Sequence, residues 1–258
     1  MKSICLFILL NLFSICAYAQ NGQVLNPQPT NAKDQYILGK KLLEEDNYID
    51  AIHWLKKSAN QGNADAQYNL GLIYAYGLGV PQDDKKAFSW YEKAAAQGHM
   101  EAQNNLAVCY EQGTGISTNA PMAVYWFKKA AEQGDEYAQN ALGMYYMRGE
   151  VVEQNFKEAA KLFLSAAERN VPMAQTSIGI CYEEGIGVEE DYVKAVYWYK
   201  KAAINKMAEA QYRLGRCYAL GKGCEVQPME SVEWMIKAAN QGHVRAIQAL
   251  NAIKGGQD

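Results

Sequence analysis

Histidine is nearly missing from this sequence. Its three copies, His53, His99 and His243, have no histidine or cysteine companion at metal-ligand spacing, and neither His-Glu-x-x-His nor a paired Cys-x-x-Cys is present. No metal or other cofactor is expected. The acidic stretches Glu183-Glu184 and Glu189-Glu190-Asp191 lack the alternating spacing of a calcium loop and read as solvated faces. Gly-x-Gly turns such as Gly185-Ile186-Gly187 are followed by no lysine in the place a phosphate cradle needs. A net charge of -3 leaves no polybasic surface, so neither nucleic acid nor bulk membrane is an expected partner. Proline is confined to six positions and β-branched runs are few, while alanine recurs, which disfavours sheet and favours helix. Apolar runs also stop short of the eighteen or so residues a membrane span requires.

The N-terminus reads as an export signal. Met1 and Lys2 precede an apolar run from Ile4 to Ile15, which closes on Ala17-Tyr18-Ala19 before Gln20. Segment 1–19 is therefore expected to be a cleaved signal peptide, and the mature chain to be exported, periplasmic or secreted. A lipid-modified Cys16 is disfavoured by Ile15 where a small residue is wanted, and an uncleaved anchor is the other minor reading. Residues 20–31, with Pro27 and Pro29, read as a disordered leader.

What is abundant is self-similarity. Ala-Gln recurs at 66, 102, 138, 174 and 210, always 36 residues on. The same interval links Trp54, Trp90 and Trp126, meets Leu162, and resumes at Trp198 and Trp234. Ala pairs at 94, 130, 166, 202 and 238 form a third series, and Tyr74, Tyr110, Tyr146, Tyr182 and Tyr218 a fourth.

Each unit reads as a helix pair. Ala66, Leu70, Ile73 and Tyr74 make the apolar face of a first helix, A. Beside them Gly71, Ala107, Gly143, Gly179 and Gly215 are small in every unit, as close approach of the partner helix demands. Gly77-Leu78-Gly79-Val80-Pro81 stops helix A, with Val80 folding back, as would Ile116, Val152, Val188 and Cys224. Asp83 or Asp84 caps helix B, whose Ala87, Trp90, Tyr91 and Ala94 keep helical spacing. The invariant tyrosines and the tryptophans are expected in the core. His99 and His243, just after the inter-repeat glycine, read as surface turn residues.

The fold class is therefore all-α, stacked antiparallel helix pairs with a 36-residue repeat. Residues 32–65 form an atypical N-terminal capping repeat, shorter by four residues between its helices. Repeats follow at 66–101, 102–137, 138–173, 174–209 and 210–245, and 246–258 is a capping helix and tail.

The side of such a stack lined by the first helices usually receives the partner. Its outward stripe passes through Asn69, Leu72 and Tyr76, then Asn105, Val108 and Gln112, then Ala141, Met144 and Arg148. It continues through Ser177, Ile180 and Glu184 to Arg213, Arg216 and Leu220. Asn69, Tyr76, Asn105, Gln112, Arg148, Arg213 and Arg216 are the candidate contacts for a protein or peptide, led by Asn105 and Arg213; an ordinary solvated face is the competing reading.

Cys109, Cys181 and Cys217 occupy one equivalent helix-A position, and neighbours at that position should stand roughly 10 Å apart, too far to bond. Cys224, in the loop after Cys217, could pair with it in an oxidising compartment, and a Cys217–Cys224 disulfide is one expectation alongside buried free thiols.

The whole unit from Ala66 to Gly98 resembles the repeat of the Sel-one-like family, relatives of the tetratricopeptide repeats, and the resemblance runs from about Ala32 to Ile253. It implies a right-handed α/α superhelical solenoid and a non-catalytic adaptor or scaffold of the bacterial cell envelope or secreted fraction. The third complete unit departs most: Arg148-Gly149-Glu150-Val151 lacks the second glycine, Leu162 replaces Trp, and Arg169-Asn170-Val171-Pro172 replaces the Gln-Gly turn. A local change of loop shape or twist is expected there. Cysteine-rich relatives pair cysteines in most units, a pattern this sequence lacks. Some have been described as binding or hydrolysing β-lactams, which makes a weak β-lactam-binding or hydrolysing activity an alternative, beside a purely structural spacer. That chemistry normally needs serine with lysine three residues on. Ser58, Ser89, Ser117, Ser165, Ser177 and Ser231 are followed there by Gln61, Glu92, Ala120, Glu168, Ile180 and Trp234, so no enzyme is expected.

Overall fold

The computed structural model describes residues 28–255. The signal segment 1–19, leader residues 20–27 and the last three residues lie outside the described residues. Thirteen helices and no strand occur among the described residues. In order they are α1 (Ala32–Glu44), α2 (Tyr48–Asn60), α3 (Ala64–Tyr76), α4 (Asp84–Ala96), α5 (Met100–Gln112), α6 (Ala120–Glu132) and α7 (Glu136–Arg148). Then come α8 (Phe156–Glu168), α9 (Pro172–Glu184), α10 (Tyr192–Ile204), α11 (Ala208–Leu220), α12 (Pro228–Asn240) and α13 (Val244–Gly255). None is long and apolar enough to cross a membrane.

Contacts divide the chain into two units, Met1–Gln67 and Tyr68–Asp258. The first holds the pair α1 and α2. Ser58 Oγ donates to Ala32 O at 2.6 Å, and Gln61 Nε2 donates to Gln35 Oε1 at 2.7 Å. The carbonyls of Pro29 and Thr30, just before α1, accept from Gln35 Nε2 at 3.0 and 3.1 Å. Asp46, at φ 58°, makes the left-handed turn of the shortened connection.

In the second unit the short helices are delimited by caps. Asp83, Asn119, Asn155 and Asp191 accept from backbone N–H groups in the first turns of α4, α6, α8 and α10. The same residues and Gln227 send their own N–H back to the carbonyls of Tyr74, Tyr110, Tyr146, Tyr182 and Tyr218, at 2.8–3.0 Å. That backbone bond closes each A-to-B loop at the invariant tyrosine. Of these rings only Tyr74 and Tyr218 are buried; the other three are half-buried.

The tryptophans correct the expectation more sharply. Trp90, Trp126 and Trp234 are half-buried, and in the first unit so is Trp54; Trp198 alone of the series is in the core. The fully packed position is the next residue, Leu55, Tyr91, Phe127, Phe163, Tyr199 and Met235. Its side chain lies on the small helix-A residue. An added Cβ at Gly71, Gly143 or Gly179 would come within 2.4–2.6 Å of the ring of Tyr91, Phe163 or Tyr199. The glycines therefore let a ring lie flat on backbone, as close helix approach requires. Trp126, Trp198 and Trp234 instead wedge between their own repeat and the one before: Trp198 packs with Ala166, Ala167 and Ile178, Trp126 with Ala94, Ala95 and Leu106, and Trp234 with Ala202, Ala203 and Leu214.

In the third complete unit the left-handed backbone angles are kept by residues other than glycine. Val151 sits at φ 68°, where Gly79, Gly115, Gly187 and Gly223 have 68–75°. Asn170 at φ 65° and Lys206 at 61° likewise stand in for glycine. What changes is the seat: a Cβ at Gly115, Gly187 or Gly223 would lie 2.0–2.2 Å from the carbonyl oxygen of Asp84, Phe156 or Tyr192, so a loop carrying Val151 cannot take the same position. Among the fold-back residues, Val80, Val152, Val188 and Cys224 pack inward, whereas Ile116 is exposed.

A glutamine pair ties the two helices of a repeat. Gln133 Nε2 donates to Gln103 Oε1 at 2.7 Å, and Gln241 Nε2 to Gln211 Oε1 at 2.8 Å. Arg169 and Asn205 stand where the donor would be for Gln139 and Gln175, whose Oε1 atoms are buried without a partner.

Candidate binding surface

The outward stripe of helix A is present but less open than its sequence suggests. Asn69, Asn105, Arg213 and Arg216 are half-buried, while Tyr76, Gln112 and Arg148 are exposed. Asn105 lies beside the hydroxyls of Tyr68 and Tyr91; burial pushes both phenols up and the Asn105 amide acts against that.

Arg213 is held internally, not offered to solvent. Its side chain is 12% exposed, and its Nη1 lies 2.8 Å from Glu183 Oε2 and 3.1 Å from Glu184 Oε1, while Nε donates to Glu209. Tyr199 donates its hydroxyl to Glu183, and His243 Nε2 meets Glu209 Oε2 at 2.8 Å. Glu209 is pushed up by burial, but hydrogen bonds from His243 and Arg213 outweigh this and hold its carboxyl below the usual range. Arg216 joins at 3.8 Å from Glu183. The cluster connects α9, α10 and α11 with the residue preceding α13.

His99 and His243 are helix caps, not surface turns. Their Nδ1 atoms accept from Ala102 N at 3.3 Å and Ala246 N at 3.2 Å. Their rings stack on Tyr68 and Tyr212 with centroids 4.6 and 4.7 Å apart. Asp135 caps α7 in the same way, whereas Val171 and Met207 give no side-chain cap.

Where the tyrosine of those stacks is replaced by Asn104 and Asn140, a groove of about 370 Å³ opens along α5, α7 and α9. Val108, Ala141, Met144 and Arg148 of the predicted stripe line it. Tyr137 and Met173 add exposed apolar surface. Tyr145 donates its hydroxyl to Glu111 Oε1 at 2.9 Å; burial and that carboxylate push the phenol up to about 12, so it stays a donor. Asn104 Oδ1 and Asn140 Oδ1 are buried without a hydrogen-bond partner. Neither asparagine was singled out in the sequence. The available signal was coordinated: tyrosine at 68 and 212 goes with histidine 31 residues later, and asparagine at 104 and 140 does not.

Cys217 and Cys224 pack in one cluster, each as a free thiol. Burial pushes the Cys217 thiol up to about 12. No group of three or more His, Cys, Asp or Glu side chains among the described residues is disposed to hold a metal ion.

The model of the Sel1 repeat matches residues 35–63, 64–99, 101–135, 136–171, 172–206 and 208–243. The chain belongs to the Sel1 repeat family. Its helix pairs coincide with those matches, and the first of them includes the shortened N-terminal pair. A Sel1 repeat protein from Oxalobacter formigenes is similar at 36% identity and a TM-score of 0.77, over 85% of this chain and 88% of that one. A protective antigen of uropathogenic Escherichia coli strains, described as displaying an SLR fold, is 32% identical with a TM-score of 0.75 over 83% of this chain. The Sel1 chain here spans about half of that antigen, 47% of its length. No curated protein matches the sequence. Sel1 and related helical repeats are typically scaffolds for protein–protein interaction.

Proposed function

We propose that this Sel1 repeat protein is a non-catalytic scaffold that binds a protein or peptide on the helix-A face of its second unit, outside the cytoplasm. The observation that carries the reading is the groove along α5, α7 and α9, where an apolar floor meets two carboxamide oxygens without partners. A buried unpaired polar group costs about 1–3 kcal/mol, which a ligand that donates N–H groups recovers. A polypeptide supplies such donors at regular intervals together with side chains for Met144, Tyr137 and Met173. Of the stripe residues, Arg148 is the charged contact; Arg213 shapes the surface without being free to bind. The N-terminal signal pattern and the likeness to a protective antigen support export, to the periplasm or the medium. Oxidising surroundings would in turn allow Cys217 and Cys224 to pair.

The test is a photo-cross-linking residue at Tyr137 in cells that export the chain. A saturable adduct with one polypeptide is expected, reduced about tenfold or more by Met144→Glu with Arg148→Glu while the melting curve is kept. An adduct indifferent to those changes, or none that saturates, overturns the reading. Alkylation of the same recovered protein without reductant reports whether Cys217 and Cys224 have paired.

A further inference from the structure

The tryptophan ladder is broken at one place, and two neighbouring features are broken with it. Leu162 stands where Trp90, Trp126, Trp198 and Trp234 stand in the other repeats of the second unit. Three residues on, Ser165 stands where Lys93, Lys129, Lys201 and Lys237 stand. In three of those repeats the lysine ammonium lies over the indole, at 4.1 Å for Lys93 on Trp90, 3.9 Å for Lys237 on Trp234 and 5.1 Å for Lys201 on Trp198. The ring and its cover are thus both replaced by smaller side chains in the same repeat.

The structure has a pocket of about 330 Å³ at this position, between α6, α7 and α8. Leu142, Tyr146 and Leu162 supply its apolar wall, and Ser165 lies at its edge. Gln139 also lines it; this residue is nine-tenths buried and its Oε1 has no hydrogen-bond partner. The corresponding Gln103 and Gln211 are satisfied by Gln133 and Gln241. At 169 the chain has arginine, whose Nη1 turns to Glu136 Oε2 at 3.7 Å. The site therefore lacks the indole of the other repeats, the lysine that covers it, and a donor for a buried acceptor.

We propose that this pocket receives a tryptophan side chain presented by a partner polypeptide, which completes the ladder in trans. The chain's own repeats show what fits: an indole wedged between one helix pair and the next. A donor on the incoming segment satisfies Gln139. Lys128 and Lys161, both lining the pocket, replace the missing lysine as cations able to reach an aromatic face. Glu132 and Glu158 complete a rim of alternating charge that suits a peptide backbone better than a free heterocycle. The pocket uses Gln139, Leu142 and Tyr146 of α7, and the helix-A groove uses Asn140, Met144 and Arg148, so the sites lie on different faces of that helix and are separable.

The experiment titrates the purified chain with acetyl-Gly-Trp-Gly-amide, with its leucine counterpart and with free indole, following the methyl resonances of Leu142 and Leu162. Saturable shifts are expected with the tryptophan peptide, at a dissociation constant at least about tenfold below those of the leucine peptide and of indole. Leu162→Trp combined with Ser165→Lys fills the site from within. This variant should abolish the Leu142 shift and melt no lower than the parent chain. Should it fail to fold, Leu162→Phe takes its place, with binding expected to weaken by about tenfold or more. The proposal is overturned by an absent or unsaturable shift, by equal binding of the leucine peptide, or by a shift that survives whichever filling variant folds. Indole binding as tightly as the peptide overturns the polypeptide as occupant. A folded double variant with a melting temperature lowered by several degrees shows that there is no room for the ring, and overturns the proposal as well.

Discussion

Val151 keeps a glycine's backbone angle without being glycine. A β-branched residue at φ 68° is held where its side chain crowds the backbone, at a cost of about 1–3 kcal/mol. Glycine would remove that strain while adding about 0.5–1 kcal/mol of unfolded-chain entropy. Val151→Gly is therefore expected to stabilise the protein by about 1 kcal/mol. For a chain of this size that raises the melting temperature by about 3 °C. A differential scanning measurement showing no rise, or a fall, would contradict the strain argument. Sequence reports that glycine is missing, but the bond from Asn155 N–H to Tyr146 O still closes this loop, and the backbone obeys that closure.

At the scale of the helix pair, the decisive contact is a ring lying on a glycine. Tyr199 is held at both ends: its ring lies against Gly179 and its hydroxyl is tied to Glu183. A methyl group at 179 would stand 2.5 Å from the ring, which cannot withdraw without losing that bond. Gly179→Ala should cost about 2 kcal/mol or more. Gly143→Ala should cost less, because Phe163 has no hydroxyl to hold it in place, and Ala107 shows that a repeat can be built with the methyl present. Equal losses in denaturant melts of the two variants would remove the hydroxyl from the explanation.

Over the second unit as a whole, the Arg213 cluster joins elements that are distant in sequence. Glu209 has a depressed carboxyl, so its contribution is full above its unfolded value near 4.5 and is lost as pH falls through the lower folded one. Stability should therefore hold from neutral pH to about 5 and decline below about 4.5. Arg213→Ala leaves Glu183, with its side chain 11% exposed, beside a lost cation, and should cost about 3 kcal/mol at pH 7 with a flatter acid limb. Melting temperatures across pH for both proteins read the difference, and parallel acid limbs would show that the cluster does not carry the dependence.

This cluster also marks the limit of what was legible in the sequence. Period, helix pairing, small helix-A positions and loop stops were legible because each repeats as a pattern along the chain. The exchange of burial between Trp90 and Tyr91 was not: both fall on one apolar arc, and only the position of Gly71 decides which ring goes under. Arg213 looked free because two of its three carboxylate partners come from 29 and 30 residues upstream on another helix. Asn104 and Asn140 carry no pattern of their own along the chain; only the groove around them marks them out.

The repeat period sets a horizon for every residue. Side-chain hydrogen bonds between neighbouring repeats reach back 29 residues for Arg213 on Glu184 and 35 for Gln133 on Gly98. A chain of such short-range partnerships has little loop closure to overcome before contacts form. If it is threaded through a membrane from its N-terminus, each helix pair can settle as soon as the next emerges. Assembly can keep pace with delivery, and the C-terminal end need not be present for the first repeats to take shape.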